Sequence, residues 1–537
     1  MKLKIFSFLF CFFPYAIFAQ QDAWVYFTNK ENVEVVIQKP ISILSQKAIN
    51  RKNAHNIAID VRDVPVNEFY ISRLKTTSGI TVLAKSKWMN AVHVRGEASD
   101  ISRLFDFDFV ASIEFADKNL NDLLRPAKQN DKFVLEESLD GFNYGSSQNQ
   151  VSMIHVDALH RENYTGEGII IAVIDAGFPN VNTMTSFSRL RNSNRLLGGY
   201  DFVNRTSAFD AYTASSHGTK VLSTMAGYVE NEFVGTAPDA SYYLFRTEDA
   251  AFENPVEESY WVEAAERADS LGVHIINSSL GYSEFDNPKY NYLPSAMDGK
   301  TTFISRGAQI ASQKGILVVN SAGNEGNFYW GIVTAPADAP GVLTVGAVNS
   351  AGLYAYFSSR GSVFQPSQKP DVVALGLGAT VITESDNIVN NNGTSFSSPI
   401  VAGAIACLWQ ALPNASADEI KQFVRLSASQ YTSPDDFLGY GIPNFQLALS
   451  QGLSVVEAEI EKFKVYPNPV SSQLQLQVPF RNGTQTLHVY DVLGKKVIEQ
   501  VYSEANPKLD VSQLAKGMYV LRVISTSEIL TFKFIKS

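Results

Sequence analysis

The chain has almost no cysteine, two residues in 537, Cys11 and Cys407. Cys11 falls in a leader-like stretch, so Cys407 has no intramolecular partner and the fold must be held by a packed core instead of disulfides. Cys407 lies in the apolar stretch VAGAIACLWQAL and is expected to be a buried structural thiol. Runs of Lys or Arg are lacking too. With 44 basic against 54 acidic residues the net charge is −10, which excludes the broad basic footprint that nucleic acid requires. Beyond the first residues no apolar run reaches about 18 residues, so no transmembrane segment is expected in the mature chain. Charged residues are scarce at 18% against 45% hydrophobic, a composition that supports several globular domains and excludes disorder.

What is present falls into segments. Residues 1–19 carry two lysines and a short apolar run broken by Pro14, ending at Ala19; they read as a cleavable export signal. Residues 20–119 alternate short β-like runs (Ala23–Phe27, Ile80–Ala84, Ala91–Val94, Val110–Phe115) with amphipathic stretches (Ile41–Arg51, Val66–Lys75, Ala98–Phe105), the pattern of a small α+β domain. Residues 120–150 are a polar linker with a processing site expected in it. From 151 to 450 buried-strand runs alternate with helical ones, which implies a three-layer α/β domain with a mainly parallel sheet. Residues 451–462 form a second linker, and 463–537 are short strands between turns, a small all-β sandwich.

Four residues of the α/β segment suggest chemistry. Asp175 ends the buried run GIIIAVIDAGF, where a carboxylate can orient and stabilise an imidazole; a turn-forming role is the plain alternative. His217 opens a helix in SSHGTKVLSTMAG and suits a general base, unless it is an ordinary core histidine. Ser395 enters a long apolar helix in NNNGTSFSSPIVAGAIACLWQ, with Pro399 expected in its first turn. It is either an N-cap or a nucleophile favoured by the helix dipole. Asn324 follows a buried strand in ILVVNSAGNEGN, as a turn former or as an amide donor to a developing oxyanion. The order Asp, His, Asn, Ser, each at a strand or helix end of one domain, favours the chemical reading for all four.

In these motifs the sequence resembles the subtilisin-like serine proteases, the subtilases of peptidase family S8. DAGF is similar to the family's Asp motif, HGT to its His motif, SAGN to its Asn motif and GTSFSSP to its Ser motif; GYGIPN at 439–444 is similar to its closing turn. Ala176 and Phe396 depart from the residues common at those positions and are expected to alter packing, not mechanism. The resemblance implies a serine-type endopeptidase with Asp175, His217 and Ser395 as triad, Asn324 in the oxyanion hole, and Ser279, Leu280, Gly281 with Ser321, Ala322, Gly323 as walls of a substrate cleft. The alternative is a catalytically silent surface or adhesion protein that keeps the fold. The resemblance further implies an inhibitory propeptide at 20–119 and protein or peptide substrates. No cofactor is required for the chemistry. Structural calcium occurs in such proteins, but the acidic loops Glu284–Asp286 and Glu384–Asp386 lack the ligand spacing of a readable calcium loop. KVYPNPVSSQLQLQV, HVYDVLGKKV, LAKGMYVLRV and TFKFIKS resemble the C-terminal sorting domain of type IX secretion. That resemblance implies the outer-membrane type IX machinery as partner and a secreted or cell-surface location in a Gram-negative bacterium, reached through the periplasm.

Overall fold

A computed structural model of the chain describes residues 20–120, 142–207, 215–460, 464–477, 485–502, 508–524 and 529–537. The expected export signal and most of the first linker lie outside the described residues. The chain divides into two units, up to Gln446 and from Leu447.

The first unit begins with four antiparallel strands, β1 (Gln21–Phe27), β2 (Thr81–Ser86), β3 (Ala91–Gly96) and β4 (Val110–Phe115), ordered β2-β3-β1-β4. Helices α1 (Gln46–Ala54) and α2 (Glu68–Lys75) complete this α+β part, Ser45 and Asn67 capping them by accepting from backbone N–H groups. One face of the sheet packs on its own helices through Val25, Val92, Ile71 and Leu74. The other face lies on the larger α/β part, where Trp24 stacks on Phe303 at 4.8 Å between ring centres.

That α/β part is built on seven strands: β5 (Ile170–Asp175), β6 (Leu196–Asp201), β7 (Ser241–Arg246), β8 (Ile275–Ser278), β9 (Leu317–Ser321), β10 (Leu343–Val348) and β11 (Val372–Leu375). Their order is β11-β10-β9-β8-β5-β7-β6, and every pair is parallel. β5, β8, β9 and β10 are buried throughout, which is why their sequences show consecutive apolar residues in place of a strict alternation. Helices α3 (His217–Ala226), α4 (Val256–Leu271), α5 (Phe303–Gln313) and α6 (Thr394–Ala411) cover the sheet. After β5 the chain moves to one side for β6 and β7 and to the other for β8 onward. The carboxyl end of β5, at Asp175, is therefore a topological switch point, where α/β sheets place their ligands. Within the expected linker Tyr144, Ser147 and Gln150 are buried, and Gln150 exchanges hydrogen bonds with the backbone of Thr380.

The second unit has two antiparallel sheets. One joins Lys464–Tyr466, Gln473–Gln477 and Lys508–Asp510; the other orders Lys496–Tyr502, Gln485–Tyr490, Gly517–Ile524 and Ile529–Lys536. Val470, Leu474 and Leu509 share one core with Leu487, Leu521 and Phe534, which makes this unit the expected sandwich. Among the described residues no helix is long and apolar enough to cross a membrane.

Candidate active site

Asp175 is the last residue of β5 and fully buried. Its Oδ1 accepts from the Ala176 backbone N–H at 2.7 Å and faces His217 Nδ1 at 2.8 Å. The pair depends on the closeness of α3 to the strand end. A Cβ on Gly218 would stand 2.5 Å from the Gly177 carbonyl and 2.9 Å from Asp175 Cβ, so only glycine after the histidine permits this approach. Asp175 Oδ2 is buried with no hydrogen-bond partner among the described residues.

The His217 side chain is one-third exposed, at 32%, which gives it a solvent-facing edge. Loss of solvent opposes its charge, but the charge of Asp175 and the hydrogen bond to it outweigh that, and the imidazole holds its proton above the usual 6.5. The carboxylate also selects the tautomer with hydrogen on Nδ1, leaving Nε2 as a proton acceptor.

Ser395 is the second residue of α6, whose first flanking residue is Gly393 at φ 149°, a backbone region that L side chains rarely adopt. The hydroxyl is therefore not the cap, and the N-cap reading of Ser395 does not hold. Its backbone N–H lies in the first turn, where no carbonyl of the helix precedes it. The Ser395 Oγ points to the Ser279 carbonyl at 3.5 Å, while the Ser279 hydroxyl donates to the Ser395 carbonyl at 2.9 Å. Pro399 stands in the second turn of α6, not the first as its spacing from Ser395 suggests, because the helix already begins at Thr394.

Asn324 follows β9. Its Oδ1 accepts from Thr394 N–H at 2.9 Å and Thr394 Oγ1 at 3.0 Å, so the amide is oriented and its NH2 faces away from Thr394. The two segments expected as cleft walls are tied through Asn320, whose Nδ2 donates to the Leu280 carbonyl at 2.9 Å and to the Ser321 carbonyl at 2.8 Å. Phe396 is buried with its ring 6.0 Å from that of His217.

The acidic loops serve as ties. Asp386 accepts from Ser186 Oγ at 2.6 Å and from Thr185 and Ser186 N–H groups, and Asp286 accepts from Glu253 N–H. Glu248, Glu253 and Glu257 bring one carboxylate oxygen each within 4.8 Å of one another. Both oxygens of Glu257 are already taken, by the N–H groups of Asp249 and Asn254. Sequence reasoning passed over Glu248, in the polar run RTEDAAFENP, because only the fold turns it inward. It also passed over Thr394, whose position before the serine was visible but whose grip on Asn324 was not.

A profile described as the subtilase family matches residues 166–441. One for the peptidase S8 propeptide domain of Bacteroidota matches 22–133, and one for a secretion system C-terminal sorting domain matches 464–537. Subtilisin E of Bacillus subtilis (strain 168) is 28% identical over 389 residues, 71% of this chain and 90% of that protein. The subtilisin of Bacillus pumilus is 30% identical over 305 residues, 56% of this chain and 97% of its own. Subtilisin Savinase of Lederbergia lenta is 29% identical over 303 residues, 56% of this chain and 97% of its own.

Proposed function

The chain belongs to the subtilase family, and from that premise we propose that it is a secreted serine endopeptidase made as a precursor. Ser395 Oγ attacks the scissile carbonyl while His217 Nε2 takes its proton; Asp175 holds the imidazole and stabilises its charged form. The Asn324 side chain and the Ser395 backbone N–H receive the oxyanion. Collapse of the tetrahedral adduct breaks the C–N bond, and the imidazolium returns its proton to the leaving amine. Water, deprotonated by His217, then frees the acyl group. Ser279–Gly281 and Ser321–Gly323 flank an extended substrate whose backbone pairs with their edges.

The observation that carries this reading is the Asp175–His217 contact of 2.8 Å at the switch point of the sheet. Among the described residues Ser395 Oγ makes no hydrogen bond to His217 and turns to the Ser279 carbonyl instead; nucleophile–base bonds in free enzymes are often loose and tighten with substrate. The propeptide domain precedes the peptidase part and a sorting domain follows it. The precursor is accordingly proposed to pass through the periplasm, engage the type IX machinery at the outer membrane, and lose its front part by a cut between residues 120 and 150.

A fluorophosphonate should label the purified protein at Ser395, and Ser395→Ala should abolish labelling and casein cleavage together. Cleavage that persists in the Ala variant overturns the reading in favour of another nucleophile. An unlabelled, inactive parent protein would support the silent surface-protein alternative.

A further inference from the structure

β7 runs beside β5 with Arg246 in register with Asp175, and Thr247 N–H donates to the Asp175 carbonyl at 3.1 Å. The next residue, Glu248, is only 8% exposed. Its Oε1 accepts from Tyr282 Oη at 2.6 Å and from Thr247 Oγ1 at 2.7 Å. The nearest guanidinium does not neutralise it: Arg246 Nε donates to the Glu248 backbone carbonyl, and its NH1 pairs with Asp201 at 3.0 Å. Among the described residues no Lys or Arg forms an ion pair with the Glu248 carboxyl.

We infer that Glu248 is a positioning residue of the catalytic centre: its carboxylate is a second negative charge behind the Asp175–His217 pair and makes the imidazole a stronger proton acceptor. This rests on the catalytic reading of Asp175, His217 and Ser395 given above. The charged and titratable groups facing Glu248 are Asp175 from β5, His217 from α3, Tyr282 after β8, and Glu253 and Glu257 at the start of α4. Lys220, one turn along α3, acts on His217 in the opposite sense.

Of the three glutamates, Glu248 is the one raised least. Burial drives Glu257 up to about 10 and Glu253 to about 8, each helped by its acidic neighbours. Burial pushes Glu248 up as well, but the Tyr282 and Thr247 hydroxyls oppose it and hold it at about 7. When Glu248 loses its proton, its charge favours the imidazolium. Two groups that repel each other's deprotonation broaden a titration instead of sharing one midpoint.

The test is the pH profile of kcat/KM for protein produced from the full chain, with a peptide substrate free of charged side chains. In Glu248→Gln the acid limb should move to lower pH by about half a unit and steepen to a single ionisation, the size expected for the loss of one screened charge near a partly solvated site. Tyr282→Phe should move the limb the same way by less, because Glu248 without that donor ionises later, and it decides the matter should Glu248→Gln not fold. A limb that stays in place in a folded variant still labelled at Ser395 overturns the inference and leaves the catalytic reading intact. So does a change seen only in KM for peptides with basic residues, which would make Glu248 a substrate contact. An unsubstituted protein that fluorophosphonate does not label would fail the catalytic reading instead.

Discussion

The Ser279 hydroxyl donates to the Ser395 carbonyl at 2.9 Å, and that carbonyl is open because Pro399, four residues on, has no N–H to give it. The strand end of β8 thus supplies the bond that the helix cannot, and it does so at the residue proposed as nucleophile. Asn277 Nδ2 approaches the same hydroxyl at 3.4 Å, and Ser398 Oγ donates to Asn277 Oδ1 at 3.1 Å. A small polar network therefore locks the first turn of α6 against β8.

Removing the hydroxyl leaves a buried carbonyl unpaired, a loss of about 1–3 kcal/mol. Ser279→Ala should lower the unfolding midpoint and reduce kcat, because the first turn of α6 then has a second arrangement open to it. A thermal melt together with kcat and KM checks this. Ser279→Thr, which keeps the donor, should recover most of the stability.

Much of this arrangement was legible in the sequence. The sequence predicts a helix over His217–Ala226, and α3 has those ends, because small polar residues precede His217 and Gly227 ends the apolar spacing. The apolar runs Gly168–Ile174, Val273–Ile276 and Ile316–Val319 predict β5, β8 and β9 within two residues at either end. β6 is missed because LLGGYD carries two glycines and is only half-buried, which mutes any β pattern. β11 is missed because it has four residues and follows Pro370. What no local pattern carries is the pairing of distant polar groups. Glu248 acquires its role from Tyr282, and Arg51 meets Asp269 across 218 residues of sequence.

Asn324→Ala should lower kcat by a factor on the order of 10²–10³ with little change in KM, the magnitude known for the oxyanion asparagine of subtilisin. The reason lies in the orientation of the amide. Thr394 holds Oδ1 by two hydrogen bonds, so the NH2 is aimed before substrate arrives. Asn324→Asp tests the point from the other side: the acceptor to Thr394 survives, the donor is lost, and kcat should fall at least as far. Steady-state kinetics on a chromogenic peptide measures both.

The pH dependence follows from His217. Its neutral form is the proposed base, and in the folded protein it holds a proton above the usual 6.5 despite loss of solvent, through the charge of Asp175 and its hydrogen bond. Activity should therefore fall as pH drops through a midpoint above 6.5. Asp175→Asn removes both supports and the tautomer preference; kcat should fall by about 10⁴, as in other triads. Rate–pH profiles of both proteins read this out.

The front part of the chain is held by charges that water does not reach. Arg51 and Lys52 on α1 meet Asp269 at the end of α4, Lys52 at 3.0 Å, and Lys314 after α5 meets Asp63 at 2.6 Å; all five side chains are at most 2% exposed. Removing one member of such a network leaves the others buried without compensation, a loss of about 3–5 kcal/mol. Asp269→Asn, made in a Ser395→Ala chain so that the precursor stays whole, should lower the unfolding midpoint clearly. Lys300→Ala, where the lysine is 82% exposed and 4.0 Å from Asp298, should not, because such pairs are solvated and screened. Burial raises the Asp63 carboxyl, but Lys52 and Lys314 outweigh it and the group lies below its usual 3.8. A depressed carboxylate contributes stability above the unfolded value and loses it as pH falls through the folded one. The grip of the propeptide domain should therefore hold through neutral pH and weaken only in strong acid. Release at neutral pH then depends on cutting the propeptide, not on titrating this network, and thermal melts of the uncut Ser395→Ala precursor from pH 7 down to pH 3 would show this as an unfolding midpoint that drops at the acid end.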